Sequence, residues 1–251
     1  MAEVVTFAAG GYRYLRGVFQ YSAAVAAEPG FEIERARFHR PVALGEGFAR
    51  IERHLRALGR PPAAFCACEL RSPAPFTEAG FEAFNRAYVT PLKDWGIYQG
   101  ETNPVARSNV CPAIDPPPEP SFYAFAYTVP ASKSARAGFI VAGGAEAPEG
   151  KANYRDHIVR RGDVSVDGLR DKARFVMTEM ERRLRAVGFG FEDITATQLY
   201  TVHDVHPILA DEVIRRRAAP GGLTWHFARP PVVDLEFEMD TRGVGREVVI
   251  S

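Results

Sequence analysis

Two short stretches carry side chains that could do chemistry together. The first is "PVARSNV", residues 104–110, where Arg107 is followed by Ser108 and Asn109. A guanidinium is a planar fork of donors that grips a carboxylate through two parallel hydrogen bonds. Hydroxyl and amide neighbours add further polar contacts, so the triplet suits an anion seat; an arginine paired with an acid at a subunit interface fits it too. The second stretch is "VVDLEFEMD", residues 232–240, where Glu236, Glu238 and Asp240 alternate with Leu235, Phe237 and Met239. On a strand, a period of two puts the three carboxylates on one face and the apolar residues on the other. Carboxylates held close together raise one another's pKa, which suits an acid that moves protons near neutral pH. A solvent-facing or intersubunit acidic face gives the same alternation.

Other candidates read more plainly. "HDVHP", residues 203–207, places His203 and His206 around Asp204, but no third ligand has metal-like spacing, and Asp before a helix is a common cap. "VAGGAEAPEG", residues 141–150, has glycines after a strand without phosphate-loop spacing into a helix. Arg215, Arg216 and Arg217 read as a solvated helix face. Tyr12, Arg13, Tyr14 and Arg16 could supply a second anion contact or be ordinary surface residues. Cys66 and Cys68 lie two apart on an expected strand and so share a face; such neighbours rarely form a disulfide. Free thiols point to a reducing compartment, the cytoplasm. Lys+Arg and Asp+Glu are both 31, so the net charge is zero, which argues against a nucleic-acid partner. No apolar run is long enough for a membrane helix, and the first residues do not resemble a signal peptide.

The elements that must position these groups show a repeat. "IERHLRALG", residues 51–59, and "MERRLRAVG", residues 180–188, agree at six of nine positions at an offset of 129. Phe48, Ile51, Leu55 and Leu58 form one helical face, and Met177, Met180, Leu184 and Val187 form the same face 129 residues on. Both helices are expected to stop at glycine, Gly59 and Gly188. "FCACEL", residues 65–70, then falls on "ITATQL", residues 194–199, as matching strands. Second helices are expected over residues 77–92 and 207–217. Opening strands are expected over 18–25 and 138–145, and each half closes with a strand pair. The expected fold is α+β: two tandem units, residues 1–130 and 131–251, each a mixed β-sheet with two helices on one face.

This order of elements, with certain letters, resembles the Rid family (reactive intermediate deaminases, or YjgF-like proteins), over nearly the whole chain, twice. "PVARSNV" is similar to the family's "PARS-x-V" signature and places Arg107 on its carboxylate-binding arginine. "FEAFNRAY" places Asn85 and Tyr88 on the Asn-x-x-Tyr of the second helix, and "QYSAAV" places Ser22 on the serine of the "TSGQ" strand, which "FIVAGGAE" also resembles. "VVDLEFEMD" is similar to the closing "IEIEA" strand and places Glu236 on the glutamate that handles water. The halves depart from the pattern in complementary ways. Gly222 in "APGGLTWHFARPP" falls near the arginine's place in the second half, and "SFYAFAYTV" in the first has no glutamate.

The resemblance implies chorismate-mutase-like units, a homotrimer with sheets facing inward, and clefts between units. One competent cleft would combine Arg107 and Glu236 as catalytic groups. Arg107, Ser108, Asn109, Ser22, Asn85, Tyr88 and His226 would bind substrate, while Trp225 is expected in the core. The implied reaction is hydrolytic deamination of a carboxylate-bearing enamine or imine with release of ammonia. No metal or organic cofactor is expected, because an iminium carbon is already electrophilic. Two-unit members resemble 2-aminomuconate deaminases. A non-catalytic binding or assembly protein of this fold and a chorismate-type hydrolase are the alternatives; a ribonuclease is disfavoured by the neutral charge.

Overall fold

The computed structural model describes residues 3–133 and 136–251. In chain order the strands and helices are β1 (Val4–Phe7), β2 (Tyr12–Leu15), β3 (Ala24–Ala27), β4 (Phe31–Ala43), α1 (Leu44–Ala57), β5 (Phe65–Arg71), α2 (Glu78–Asp94), β6 (Ala106–Pro112) and β7 (Ser121–Pro130). They continue with β8 (Phe139–Ala145), α3 (Val166–Val187), β9 (Ala196–Tyr200), α4 (His206–Leu209), β10 (Leu223–His226), β11 (Ala228–Arg229), β12 (Glu238–Gly243) and β13 (Arg246–Ile250). They form two mixed sheets, of order β1-β2-β3-β8-β12-β9-β10 and β11-β6-β5-β7-β4-β13.

Each sheet carries its helices on one face, as the apolar periodicity requires. Phe48, Ile51 and Leu55 of α1 and Tyr88, Val89 and Leu92 of α2 pack with Phe65, Phe122 and Phe125 of the six-stranded sheet. Met177, Met180 and Leu184 of α3 pack with Leu199, Phe237 and Met239 of the other, and Ile208 and Val213 join that core. The two residues lie five apart on a turn that widens after α4 into a π-helical stretch over residues 210–214, a period that keeps i and i+5 on one face. Thr77 caps α2 and Ser165 caps α3, each accepting from a backbone N–H three residues on. Gly59 and Gly188, just past α1 and α3, adopt φ of +67° and +92°, the left-handed turn expected of both.

The other faces of the sheets meet each other. Ala27 and Ala142 from one sheet and Ala67, Ala106 and Ala126 from the other pack there, with Tyr12, Val25 and Cys66. Small side chains let two sheets approach closely, and hydrogen bonds cross the gap: Ser108 donates to Asp240 at 2.6 Å and Gln198 to Glu69 at 3.1 Å.

Several details depart from expectation. The sheets cross the boundary expected at 130/131. The N-terminal strands β1–β3 extend the sheet of the second half, while β13 pairs parallel with β4 and β11 antiparallel with β6. The expected strand over residues 18–25 is regular only from Ala24, with isolated bridges before it. The 13-residue β4 has no counterpart among the expected elements; its Arg35 is buried in a fork-to-fork pair with Glu69, at 2.6 and 2.9 Å. Cys66 and Cys68 do not share a face. A register shift between Phe65 and Ala67 sends Cys66 between the sheets and Cys68 under the helices.

Candidate active site

A cavity opens where the two halves meet. Tyr21, Phe81 and Arg107 enter it from the first, and Tyr154, Arg183 and Glu238 from the second. A backbone clasp closes one wall: Phe76, just before α2, donates to Pro231 O at 2.8 Å and accepts from Val233 N at 3.0 Å. Over the cavity runs the segment between β8 and α3. It is tied to the start of α2 by Glu78, which accepts from the backbone N–H of Tyr154 and Arg155 at 3.1 and 3.0 Å.

Arg107 projects from β6 towards α2 and is buried. Asn85 accepts from its Nη2 at 2.5 Å. The rings of Tyr88, Tyr21 and Phe84 stand 4.6, 5.3 and 5.6 Å from its Cζ, so the cation sits in an aromatic box. Its Nε and Nη1 bond to nothing among the described residues. A buried guanidinium without an anion is unfavourable, and its unpartnered nitrogens leave room for what would complete it: an anion such as a carboxylate.

Glu238 is the acid that lines the same cavity. It is buried, and no described side chain hydrogen-bonds its carboxyl. Burial pushes its pKa well above the usual carboxylate range, Asp240 and Glu146 push it further, and Arg71 and Arg183 pull back. Gly143 on β8 makes the room for it, since a Cβ there would run into Glu238 Oε1. Asp240 is not free in this way. Ser108 and Tyr200 donate to its Oδ2 at 2.6 and 2.7 Å, and Gln198 donates to Oδ1 at 2.9 Å.

Glu236, expected to share a cleft with Arg107, does not line this one. It lies before β12, and its Oε2 is held by His203 Nε2 and Arg229 Nη1, each at 2.7 Å, at a separate hollow with Arg161 and Asp234. The cause is a long-range contact. The buried carboxylate of Glu146 accepts from the backbone N–H of Glu236 and Phe237 at 2.7 and 3.1 Å. That takes the chain out of the ladder, so the alternation of acids becomes regular strand only at Glu238. Lys172, 3.1 Å from Glu146, anchors the arrangement.

The remaining candidates divide. Asn85 and Tyr88 contact Arg107, and Asn109 lines the cavity with its Oδ1 taken by Ser72 and its Nδ2 without a partner among the described residues. Ser22 is outside the lining; it donates to Pro104 O at 2.9 Å and pins the chain just before Arg107. Ser108 faces Asp240 between the sheets. His226 pairs with Gln198 at 3.0 Å and stacks on Tyr200, away from the cavity; burial, with Arg71, lowers its pKa to about 4. Trp225 packs on the core as expected, and Asp204 accepts from His206 N at 3.0 Å in the turn before α4, whose N-cap position is Val205 without a side-chain cap. The expected second anion contact is not near the N-terminus. Arg13 donates to Ala27 O and Val187 O, Arg16 pairs with Glu3, and neither lines the cavity.

Sequence reasoning missed Tyr21, Glu149, Tyr154 and Arg183. For Arg183 a signal existed. The nine-residue copies differ at three positions, and two exchange one apolar residue for another. The third sets His54 against Arg183 and is the sole change of chemical type.

The family described as 2-aminomuconate deaminase CnbZ matches residues 4–248. The chain belongs to this family. A 2-amino-5-chloromuconate deaminase of Comamonas testosteroni is 55% identical over 251 residues, covering 100% of both chains. Among solved structures, a chorismatase superposes on 92% of this chain and 79% of its own, with a TM-score of 0.51 and 12% identity, a likeness of fold. The YjgF gene product of E. coli matches 47% of this chain and 94% of its own at 19% identity, with a TM-score of 0.31.

Proposed function

We propose that the protein is a cofactor-independent hydrolytic deaminase of carboxylate-bearing enamines, with substrates of the 2-aminomuconate type. The observation that carries this is one cavity holding a buried guanidinium with two free donors beside a buried carboxyl whose environment favours the protonated form. The family and the deaminase named above support the class of substrate.

Arg107 holds the substrate carboxylate next to the amino-bearing carbon, with Asn85 and Tyr88 fixing its plane and the Asn109 amide available beside it. Glu238, in the role expected of Glu236, donates its proton to the enamine carbon as the C=C pair moves and the nitrogen lone pair forms C=N. The Glu238 carboxylate then takes a proton from water as its oxygen adds to the iminium carbon. Protonated Glu238 then gives its proton to the carbinolamine nitrogen and takes the hydroxyl proton as C=O forms, so the C–N bond breaks, ammonia leaves and the acid is restored. Over the cycle, enamine plus water gives ketone plus ammonia. Orientation and one well-placed acid–base group are sufficient, because the iminium is its own electrophile. Ser22 positions the strand that carries Arg107, and Ser108 and His226 serve the inter-sheet network.

We infer further that the two units arose by tandem duplication. Glu69 and Gln198, 129 apart, hydrogen-bond each other across the sheets, and both repeated helices end in left-handed glycine. The chains assemble as a homotrimer, as Rid-like units do; the half-exposed Phe227 and Val233 offer apolar contact surface. Three free, buried thiols suit the cytoplasm. Light scattering should give three times the 27.7 kDa chain mass; a clear monomer contradicts the assembly. The activity is tested by ammonia release from 2-aminomuconate and from 2-aminoacrylate generated in place. Turnover of the former is expected, and failure on both overturns the proposal.

A further inference from the structure

The cavity contains a second buried guanidinium, Arg183 on α3. Its Nη1 is anchored to the backbone, donating to Ala142 O at 3.1 Å, and its Nη2 reaches Glu149 Oε1 at 3.0 Å. The same Oε1 accepts from the Tyr21 hydroxyl at 2.7 Å. Tyr21 therefore links the two cations. Its ring lies 5.3 Å from Arg107 and its hydroxyl touches the carboxylate held by Arg183. The guanidiniums stand roughly a tyrosine and a carboxylate apart. A six-carbon chain with an acid at each end, whose carboxyl carbons are about 6 Å apart when extended, offers one carboxylate to each cation.

The charges point the same way. Among the described residues Arg107 has no anion, Arg183 has Glu149, and Glu238 favours its neutral form. A monocarboxylate satisfies Arg107 and leaves the Arg183–Glu149 pair untouched. Glu149 comes from the segment between β8 and α3, and its side chain is 19% exposed, against 3% for Arg183. The cation is fixed, whereas the acid reaches in from the rim. Glu149 makes, with a guanidinium and a phenol, the contacts a ligand carboxylate would make there.

We propose that Arg183 is the seat of the substrate's second carboxylate, with Glu149 a resident stand-in that the substrate displaces and Tyr21 passing its hydroxyl from one to the other. An exchange of one carboxylate for another keeps every hydrogen bond on Arg183 and returns Glu149 to water, so displacement is inexpensive. The site thereby selects dicarboxylates over monocarboxylates by a charge-assisted contact that only the former can make. The identity of the ligand rests on the deaminase reading, but the selectivity can be tested without turnover.

The test is calorimetric binding of two unreactive six-carbon dienes, muconate with two carboxylates and sorbate with one. It uses the full-length wild type, Arg183→Gln, Arg183→Lys and Glu149→Gln, with thermal melts to confirm folding. Wild type should prefer muconate by about 100-fold, the scale of a lost charge-assisted pair. Arg183→Gln should cut that preference to within about threefold and leave sorbate unchanged, and Arg183→Lys should retain part of it. Glu149→Gln should tighten muconate and not sorbate. Equal binding of the two dienes by wild type, or parallel loss of both in Arg183→Gln and Arg183→Lys, overturns the seat. Unchanged muconate affinity in Glu149→Gln overturns the displacement. If wild type prefers muconate but releases no ammonia from any enamine, the deaminase reading fails and the dicarboxylate seat stands.

Discussion

Two arginines of the six-stranded sheet, Arg35 on β4 and Arg107 on β6, are both buried, yet their surroundings are opposite. Arg35 is surrounded by acid: Glu69 takes two of its N–H groups at 2.6 and 2.9 Å, and Glu247 a third at 3.0 Å. Burial works against the Glu69 carboxylate, but Arg35, with Arg242 and Arg71, outweighs it and holds its pKa below the usual range. Arg107 has one amide, the rings of Tyr88, Tyr21, Phe84 and Phe81, and two nitrogens without a partner among the described residues. Its acidic neighbour in the cavity, Glu238, is pushed the other way. A satisfied buried ion pair holds the structure in register; a buried cation left without its anion is arranged for something that arrives from outside.

Substitutions should separate these roles. Arg107→Ala is expected to lower kcat/KM by about 10³-fold or more, the loss of a charge-assisted contact to the reacting end of the substrate, with little change in melting temperature because a buried cation without an anion is removed. Arg35→Met should do the reverse. Stability falls by about 3 kcal/mol because Glu69 stays buried without its fork partner, while the folded fraction keeps its kcat; urea titration beside steady-state kinetics reads both. If Arg107→Ala unfolds the protein and Arg35→Met abolishes turnover, the contrast is inverted.

The pH dependence sharpens it further. A carboxyl whose folded pKa is raised contributes stability that is fully present below its unfolded pKa and lost as pH rises through the folded value. Wild type should therefore lose both stability and activity as pH climbs through the raised Glu238 pKa, and Glu238→Gln should flatten the stability profile over that window. Identical profiles would remove Glu238 as the titrating group. A smaller effect is expected from Gly143→Ala. The added methyl must displace the Glu238 carboxyl, lowering kcat about 10-fold with binding nearly intact; a normal kcat would show that the acid need not sit where it does.

What the sequence made legible follows the range of the contacts involved. The repeated helices declare themselves in their own spacing, from Phe48 to Leu55 and from Met177 to Val187, and their left-handed stops are glycines; Leu58, expected on the same face, lies just past α1 and is exposed. Arg107 is marked by its neighbours Ser108 and Asn109. The alternation runs unbroken through Glu236, so it does not mark Glu238, two residues on, as the acid that lines the cavity with Arg107. Only Glu146, 90 positions away, ends the ladder by taking the N–H of Glu236. Likewise β4 hides its burial behind charges whose partners are remote, and no local pattern indicates that β1–β3 join the other half's sheet. Arg183 became visible only as the odd residue in a repeat, opposite His54.

The central claim is that the proton-moving acid is Glu238 and that Glu236 is a structural partner of His203 and Arg229. Ammonia release from 2-aminomuconate by Glu238→Gln and Glu236→Gln, each confirmed folded, tests it directly. A fall in kcat of about 10²–10³-fold for Glu238→Gln, with Glu236→Gln within about threefold of wild type, is the predicted result. Loss in Glu236→Gln with Glu238→Gln unimpaired would contradict it.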